Sequence, residues 1–125
     1  PVQAGDYGAA FARGLDSAGV KAVFKHFPGH GRASGDTHLA EAITPPLEEL
    51  ENHEFIPFRN AIPAAPNAAL MMGHLAVPGL GDGQTPASIL PEAYGLAREA
   101  LQYDGTIYTP APTCPCGPPR KISMR

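Results

Sequence analysis

Residues 20–38 read VKAVFKHFPGHGRASGDTH and decide the fold predicted for this chain. The first five, Val20 to Phe24, are apolar apart from one lysine and are rich in β-branched and aromatic side chains, which is typical of a buried parallel strand. Pro28 and the glycines that follow exclude both a regular strand and a regular helix. The polar residues after the strand are therefore predicted to lie in a shaped loop.

Helices and further strands are predicted around this segment. Residues 6–18 are expected to form a helix capped by Asp6 and stopped by Gly19, with one apolar face formed by Tyr7, Phe11 and Leu15. Residues 47–62 are expected to be helical with a break at Pro57. A second strand is predicted over 68–72, a third helix over 91–101 with Tyr94, Ala97 and Leu101 on one side, and a third strand over 106–109.

Strands that alternate with helices predict a parallel α/β sheet with right-handed crossovers. Polar residues that follow the strands suit either a (β/α)8 barrel of the TIM type or an open doubly wound sheet. Because three strands cannot close a barrel, the first alternative implies an incomplete arc of about three parallel strands with their helices.

The composition excludes several classes of function. The chain has 125 residues, of which 43% are hydrophobic and 17% charged, enough for one globular domain. Its net charge is -3 and its lysines and arginines are scattered, so nucleic acid is not an expected partner. No apolar run approaches the roughly 20 residues of a membrane span. Only Pro115 separates Cys114 from Cys116, a spacing too short for an unstrained mutual disulfide and unlike that of zinc sites.

The loop carries the candidate chemistry. Side chains two apart in an extended segment point the same way, so Asp36 can orient His38 and raise its basicity. Such a pair can act as a general acid and base. Lys25 and His26, at the end of the predicted strand, are placed to donate hydrogen bonds to hydroxyl or carbonyl oxygens of a polar ligand.

Other interpretations of the histidines stay open. Loop histidines can simply satisfy backbone groups. A metal site formed by His26, His30 and His38 is a second alternative, although the spacing matches no standard zinc pattern. His53 lies among glutamates on an expected solvated helix face and is assigned no function. His74 follows the second strand and would either face the same pocket or bond a neighbouring loop carbonyl.

A seven-residue motif and a three-residue motif carry a resemblance to a known family. KHFPGHG at 25–31, then four residues, then DTH at 36–38 resembles the signature of glycoside hydrolase family 3 in its β-N-acetylhexosaminidase branch. The similarity extends from about residue 9 to residue 109. It includes EELE at 48–51, PFR at 57–59, MMGH at 71–74 and YDG at 103–105.

The resemblance implies an N-terminal (β/α)8 barrel and retaining hydrolysis of terminal β-linked N-acetylglucosamine from peptidoglycan fragments or chitin-type oligosaccharides. It also implies that His38 is the proton donor, Asp36 its partner, and Lys25 and His26 the groups that hold the sugar. A histidine donor departs from the usual scheme of two carboxylates. Neither a metal nor an organic cofactor is implied.

The pattern breaks at residue 110. The family places its aspartate nucleophile directly after the third predicted strand, and Pro110 stands there, so the chain as written is expected not to hydrolyse glycosides. We expect a fragment with a partial barrel domain over 1–109 and a proline-rich tail over 110–125 that is disordered or results from a frameshift. Codons for residues 113–117, read one nucleotide out of frame, can spell Asp-Leu-Ser-Met-Arg. A non-catalytic sugar-binding pseudoenzyme is the alternative function.

Overall fold

A computed structural model describes residues 1–35 and 42–111. The helices are α1, Val2–Ser17; α2, Leu47–Asn52; α3, Phe55–Ala64; and α4, Pro91–Ala100, with a short 3-10 turn at Ala87–Ile89. The strands are β1, Val23–Phe27; β2, Ala42–Ile43; β3, Ala69–Met72; β4, Leu75–Ala76; and β5, Ile107–Tyr108.

The main sheet is parallel and has the strand order β1-β3-β5. Val23 is paired with Ala69, and Leu70 of the central strand is paired with Ile107. Helices connect these strands in the chain, as expected for a parallel sheet. The predicted α/β class with three parallel strands is confirmed.

Strand β1 lies three residues further along the chain than predicted. The expected strand ended at Phe24, but the observed strand runs from Val23 to Phe27 and so contains Lys25 and His26. The packing of Phe27 explains the difference, because its side chain is fully buried with ring centroids 5.1 Å from Phe55 and 5.5 Å from Phe58. Burial of this ring at the end of the strand outweighs the local preference for an earlier end.

Helix α1 differs from its prediction at both its start and its buried face. It begins at Val2, so Asp6 lies inside the helix and is not its cap. Tyr7 and Phe11, predicted on one apolar face, are 74% and 71% exposed. The buried face consists of small residues instead: Gly5, Ala9 and Ala12.

Close packing of α1 against α3 accounts for that face. A Cβ atom on Gly5 would lie 3.0 Å from the Asn60 Cβ and 3.1 Å from the Pro57 backbone. Small side chains allow two helices to approach at this distance, whereas aromatic side chains at the contact would hold them apart. Glycine and alanine therefore define the buried face. At the other end, Gly19 adopts a positive φ of 73°, the conformation with which helices commonly end.

The break in the second helical region lies before the predicted one. Helix α2 ends at Asn52 and α3 begins at Phe55, while Pro57 lies in the first turn of α3. A proline is tolerated in a first turn because its missing N–H would have no partner there. The predicted break at Pro57 is therefore wrong in position, although the region is helical on both sides.

A second, two-stranded sheet was not predicted. Strands β2 and β4 pair in parallel, with Ala42 opposite Leu75 and Ile43 opposite Ala76. Each strand has only two residues, which is too short for a periodic pattern in the sequence. This sheet joins the segment that returns from the loop after β1 to the segment that follows β3.

The third helix and third strand agree with their predictions. Helix α4 ends one residue before the predicted end, and β5 lies within the predicted strand. Ala97 and Leu101 are buried as expected, whereas Tyr94 is half-buried. Among the helices of residues 1–35 and 42–111, none has the length and apolarity needed to cross a bilayer.

Candidate functional site

The carboxyl ends of the three parallel strands meet at one edge of the main sheet. Lys25 and His26 lie near the end of β1, His74 follows β3, and residues 109–111 follow β5. Parallel α/β sheets commonly carry their functional residues at this edge. The polar residues predicted after the strands are therefore at the edge where a site is expected.

His26 occupies an irregularity in strand β1. Lys25 is opposite Met71 and Phe27 is opposite Met72, so the ladder shifts between them and leaves His26 as the extra residue. Such bulges redirect side chains and occur next to active sites. The Lys25–His26 and Phe27–Pro28 peptide bonds are both cis.

Gly73 allows the end of β3 to approach His26 closely. The Gly73 N–H donates a 2.8 Å hydrogen bond to the Phe27 carbonyl. A Cβ atom on Gly73 would lie 3.2 Å from the His26 Cβ and 2.8 Å from the Leu75 Cδ1. A larger residue would separate the two strand ends, so glycine is required at this contact.

Lys25 and His30 complete the polar group beside His26. The imidazole rings of His26 and His30 meet edge to face with centroids 6.3 Å apart. Lys25 is exposed, and its ammonium makes no hydrogen bond or ion pair with any residue of 1–35 or 42–111. These side chains line a groove of about 630 Å³ between α1, β1 and α3, whose other lining includes Phe11, Leu15, Phe24 and Phe58.

An ion pair fixes the loop that follows β1 to the start of α3. The Arg32 guanidinium binds Glu54 through two bonds, Nε to Oε1 at 2.7 Å and a terminal nitrogen to Oε2 at 2.9 Å. Its other terminal nitrogen lies 3.2 Å from Glu49 Oε2. Planar two-point contacts of this kind fix geometry as well as charge. The loop is thus held at Arg32, four residues before Asp36.

Glu54 is buried, unlike the solvated glutamate predicted beside His53. Its side chain is only 5% exposed, whereas that of His53 is 49% exposed. The hydrogen bonds from Arg32 hold the pKa of Glu54 below its ordinary value, although burial opposes this effect. Gly29 packs directly on Glu54, since a Cβ atom there would lie 2.5 Å from the Glu54 Cβ.

His74 bonds a loop carbonyl, which was one of its two predicted interpretations. Its Nδ1 lies 2.5 Å from the Ser88 Oγ, and its Nε2 lies 3.2 Å from the Ala111 carbonyl oxygen. The Tyr94 hydroxyl donates to the Ser88 carbonyl at 2.7 Å and lies 3.3 Å from the Thr109 Oγ1. These bonds connect the end of β3 to the end of β5.

Asp36 and His38 lie outside the described residues, and their predicted roles stay predictions. The described chain on either side is paired: Ser34 and Ile43 exchange backbone hydrogen bonds of 2.9 and 3.2 Å. The metal alternative also includes His38 and is untested for the same reason. Within residues 1–35 and 42–111, no group of three or more histidine, cysteine, aspartate or glutamate side chains could hold a metal ion.

Two of these groups are not indicated by any pattern in the sequence. Glu54 belongs to a run of glutamates typical of a solvated helix, and only its pairing with Arg32 distinguishes it. Ser88 lies in a Gly/Pro-rich region with no periodic pattern. Neither contact could be found without the packing of distant segments.

The fold and the strand-end residues define a parallel α/β domain whose functional edge is formed by the carboxyl ends of its strands. The chain belongs to glycosyl hydrolase family 3, because the family described as "Glycosyl hydrolase family 3 N terminal domain" matches residues 1–112. The predicted resemblance is confirmed.

Curated relatives carry the name beta-hexosaminidase. The chain is 44% identical over 108 residues to Beta-hexosaminidase LpqI of Mycobacterium tuberculosis, covering 82% of this chain and 27% of that protein. It is 37% identical over 103 residues to a Beta-hexosaminidase of Stenotrophomonas maltophilia, covering 81% and 30%. The chain thus spans less than a third of the length of these relatives.

Solved structures agree with this assignment. A glycosyl hydrolase of the GH3 family from Mycobacterium smegmatis superimposes with a TM-score of 0.79 at 44% identity, covering 88% of this chain and 35% of that one. A glycoside hydrolase family 3 beta-N-acetylglucosaminidase from Paenibacillus gives a TM-score of 0.68 at 39% identity, covering 77% and 18%.

Proposed function

We propose that this chain is an arc of a β-N-acetylhexosaminidase barrel and holds the sugar-binding and acid/base part of its active site. The substrate class is an oligosaccharide with a terminal β-linked N-acetylglucosamine, of the peptidoglycan-fragment or chitin type. In this proposal residues 1–109 form the partial barrel domain, and residues 110–125 are a proline-rich segment that supplies no catalytic group.

One observation carries the proposal: the order β1-β3-β5 brings Lys25, His26 and residue 110 to the same edge of a parallel sheet. The exposed Lys25 ammonium and the half-buried His26 ring can both donate hydrogen bonds to sugar hydroxyl and acetamido oxygens. The names of the relatives support an N-acetylhexosaminide as the ligand.

His38 supplies the acid/base function in this proposal. Asp36 keeps the imidazole oriented, and the imidazole first protonates the leaving oxygen and then removes a proton from the attacking water. A retaining reaction also requires a carboxylate nucleophile on the opposite face of the sugar ring. The family position for that group is residue 110, and it is a proline here.

Binding by Lys25 is tested with free N-acetylglucosamine on the 125-residue chain. We expect the sugar to shift the NMR signals of His26 and of the backbone at the end of β1, and Lys25→Met to reduce the shifts. Lys21→Met is the matched control, because Lys21 is also an exposed lysine but precedes β1. Equal shifts in the parent and in Lys25→Met would contradict the assignment of Lys25.

Hydrolysis is tested with an aryl N-acetylglucosaminide. We expect no turnover by the chain as written and expect turnover after Pro110→Asp, or after extension through an intact nucleophile segment. In the active form His38→Ala should abolish hydrolysis of substrates with poor leaving groups, because these depend on a proton donor. Undiminished hydrolysis of such substrates by His38→Ala would refute the acid/base role.

Pro110 also favours a second function, that of a non-catalytic sugar-binding protein. This alternative predicts sugar binding without turnover in every extended form. The DNA sequence provides a separate check of the frameshift: codons for residues 113–117 that cannot encode an aspartate in the shifted frame would eliminate it.

A further inference from the structure

The segment after β5 makes a hydrogen-bond contact on each side of residue 110. On one side the Thr109 Oγ1 lies 3.3 Å from the Tyr94 hydroxyl, and on the other the Ala111 carbonyl lies 3.2 Å from the His74 Nε2. Both partners also bond Ser88. Residue 110 therefore lies between two anchored neighbours.

The hydrogen-bond chemistry determines which atoms carry the protons. A carbonyl oxygen can only accept, so the His74 Nε2 must carry a hydrogen and donate it to Ala111. In the neutral ring Nδ1 is then an acceptor, and the Ser88 hydroxyl donates to it. Because the Tyr94 hydroxyl already donates to the Ser88 carbonyl, the Thr109 hydroxyl is the donor in the remaining contact.

Ser88 is a fixed support for this network. The residue is 2% exposed. Its N–H donates a 3.1 Å bond to the Gly73 carbonyl, and its own carbonyl accepts from Tyr94. These backbone bonds hold the Ser88 hydroxyl next to His74. The contact with Ser88 therefore orients the imidazole independently of its contact with the segment after β5.

We propose that His74 is a positioning residue that fixes the backbone at residue 110, where this family carries its nucleophile. The inference rests on the proposed function for its catalytic meaning. The imidazole bridges the ends of β3 and β5 and bonds the Ala111 carbonyl. A carboxylate at residue 110 would therefore be held in one position relative to the sugar. Small errors in such placement are costly, since misplacement by about 1 Å can reduce a rate roughly 100-fold.

The first test is spectroscopic and uses the chain as it exists. Imidazole nitrogen NMR of the 125-residue chain should show His74 as the Nε2–H tautomer. His74→Ala should shift the Thr109 and Ala111 amide signals, which His53→Ala leaves in place. An Nδ1–H tautomer in the parent chain, or unchanged Thr109 and Ala111 signals in His74→Ala, would overturn the inference.

Two conservative variants distinguish positioning from general packing. A glutamine amide can reach the position of Nε2, whereas an asparagine amide reaches only that of Nδ1. We therefore expect His74→Gln to restore the parent amide signal of Ala111 and His74→Asn not to restore it. Equal behaviour of the two variants would contradict the proposed bridge to Ala111.

Activity provides the final readout in the Pro110→Asp chain. His74→Ala should lower kcat roughly 10- to 100-fold with little change in KM, and His74→Gln should recover most of the loss. Equal kcat values in the presence and absence of His74 would refute the positioning role. A complete lack of turnover in Pro110→Asp would count against the proposed function, while the tautomer and amide measurements would still decide the structural inference.

Discussion

Gly29→Ala should destabilise the chain far more than the same substitution two residues later. Gly29 has a φ of 135°, a conformation that is essentially restricted to glycine and costs other residues roughly 1–3 kcal/mol. A new Cβ would also lie 2.5 Å from the Cβ and 2.7 Å from the Cγ of Glu54, which is buried. Overpacking of this kind costs about 1–3 kcal/mol. The two effects together amount to about 4 kcal/mol.

Urea unfolding measures this loss. With a slope of about 2 kcal/mol per molar urea, typical of a small domain, the midpoint should fall by about 2 M. Gly31→Ala is the matched control, because a Cβ there meets no atom within 4 Å and its φ is not positive. That variant should unfold at or slightly above the parent midpoint, since alanine restricts the unfolded chain.

A double-mutant cycle separates the two causes. In a Glu54→Gly background the steric conflict is absent, so Gly29→Ala should cost only the conformational part, about 2 kcal/mol. The difference between the two backgrounds measures the contact between Gly29 and Glu54. Equal midpoints for Gly29→Ala and Gly31→Ala would refute the reasoning, because the loop would then not press on Glu54.

Three further predictions concern the same scaffold. Because the pKa of Glu54 lies below its ordinary 4.5, its pairing with Arg32 stabilises the chain above pH 4.5, and this stabilisation is lost as the pH falls through the folded-state pKa. Acid unfolding should show the loss, and Glu54→Gln should remove this part of the pH dependence. The Tyr103 hydroxyl lies 3.0 and 2.9 Å from two backbone carbonyls, between which its single hydrogen is shared. Tyr103→Phe should therefore cost about 1–2 kcal/mol in urea unfolding, and a value near zero would contradict a stabilising role for this hydroxyl. Gly5→Ala should lower the midpoint of thermal unfolding, because its Cβ would crowd α3. Gly14→Ala, whose Cβ would meet no atom within 4 Å, should raise that midpoint through the gain in helix propensity, and the opposite order would contradict the close packing of α1.

The sequence predicted the elements whose patterns are local. The alternation of helix and strand, the parallel sheet and the polar strand ends all follow from apolar runs bounded by glycine and proline. His74 was expected at a strand end and is found there. Helix α4 and strand β5 were predicted within one or two residues of their ends.

The features that could not be predicted depend on contacts between distant segments. Burial of Phe27 against α3 decides where β1 ends, and close packing at Gly5 decides which face of α1 is buried. Glu54 is indistinguishable from a surface glutamate until Arg32 pairs with it. No local propensity records any of these contacts.

The small sheet formed by β2 and β4 makes the two loops of the candidate site mechanically dependent on each other. Ile43 is paired with Ala76 across it, and the Thr44 N–H donates a 3.0 Å bond to the Ala76 carbonyl. A backbone shift beyond His74 is therefore transmitted to the chain that returns from the segment containing His38. Changes selected in either loop to suit a new ligand would therefore be constrained by the other. Divergence of specificity in this scaffold should proceed by paired rather than independent substitutions.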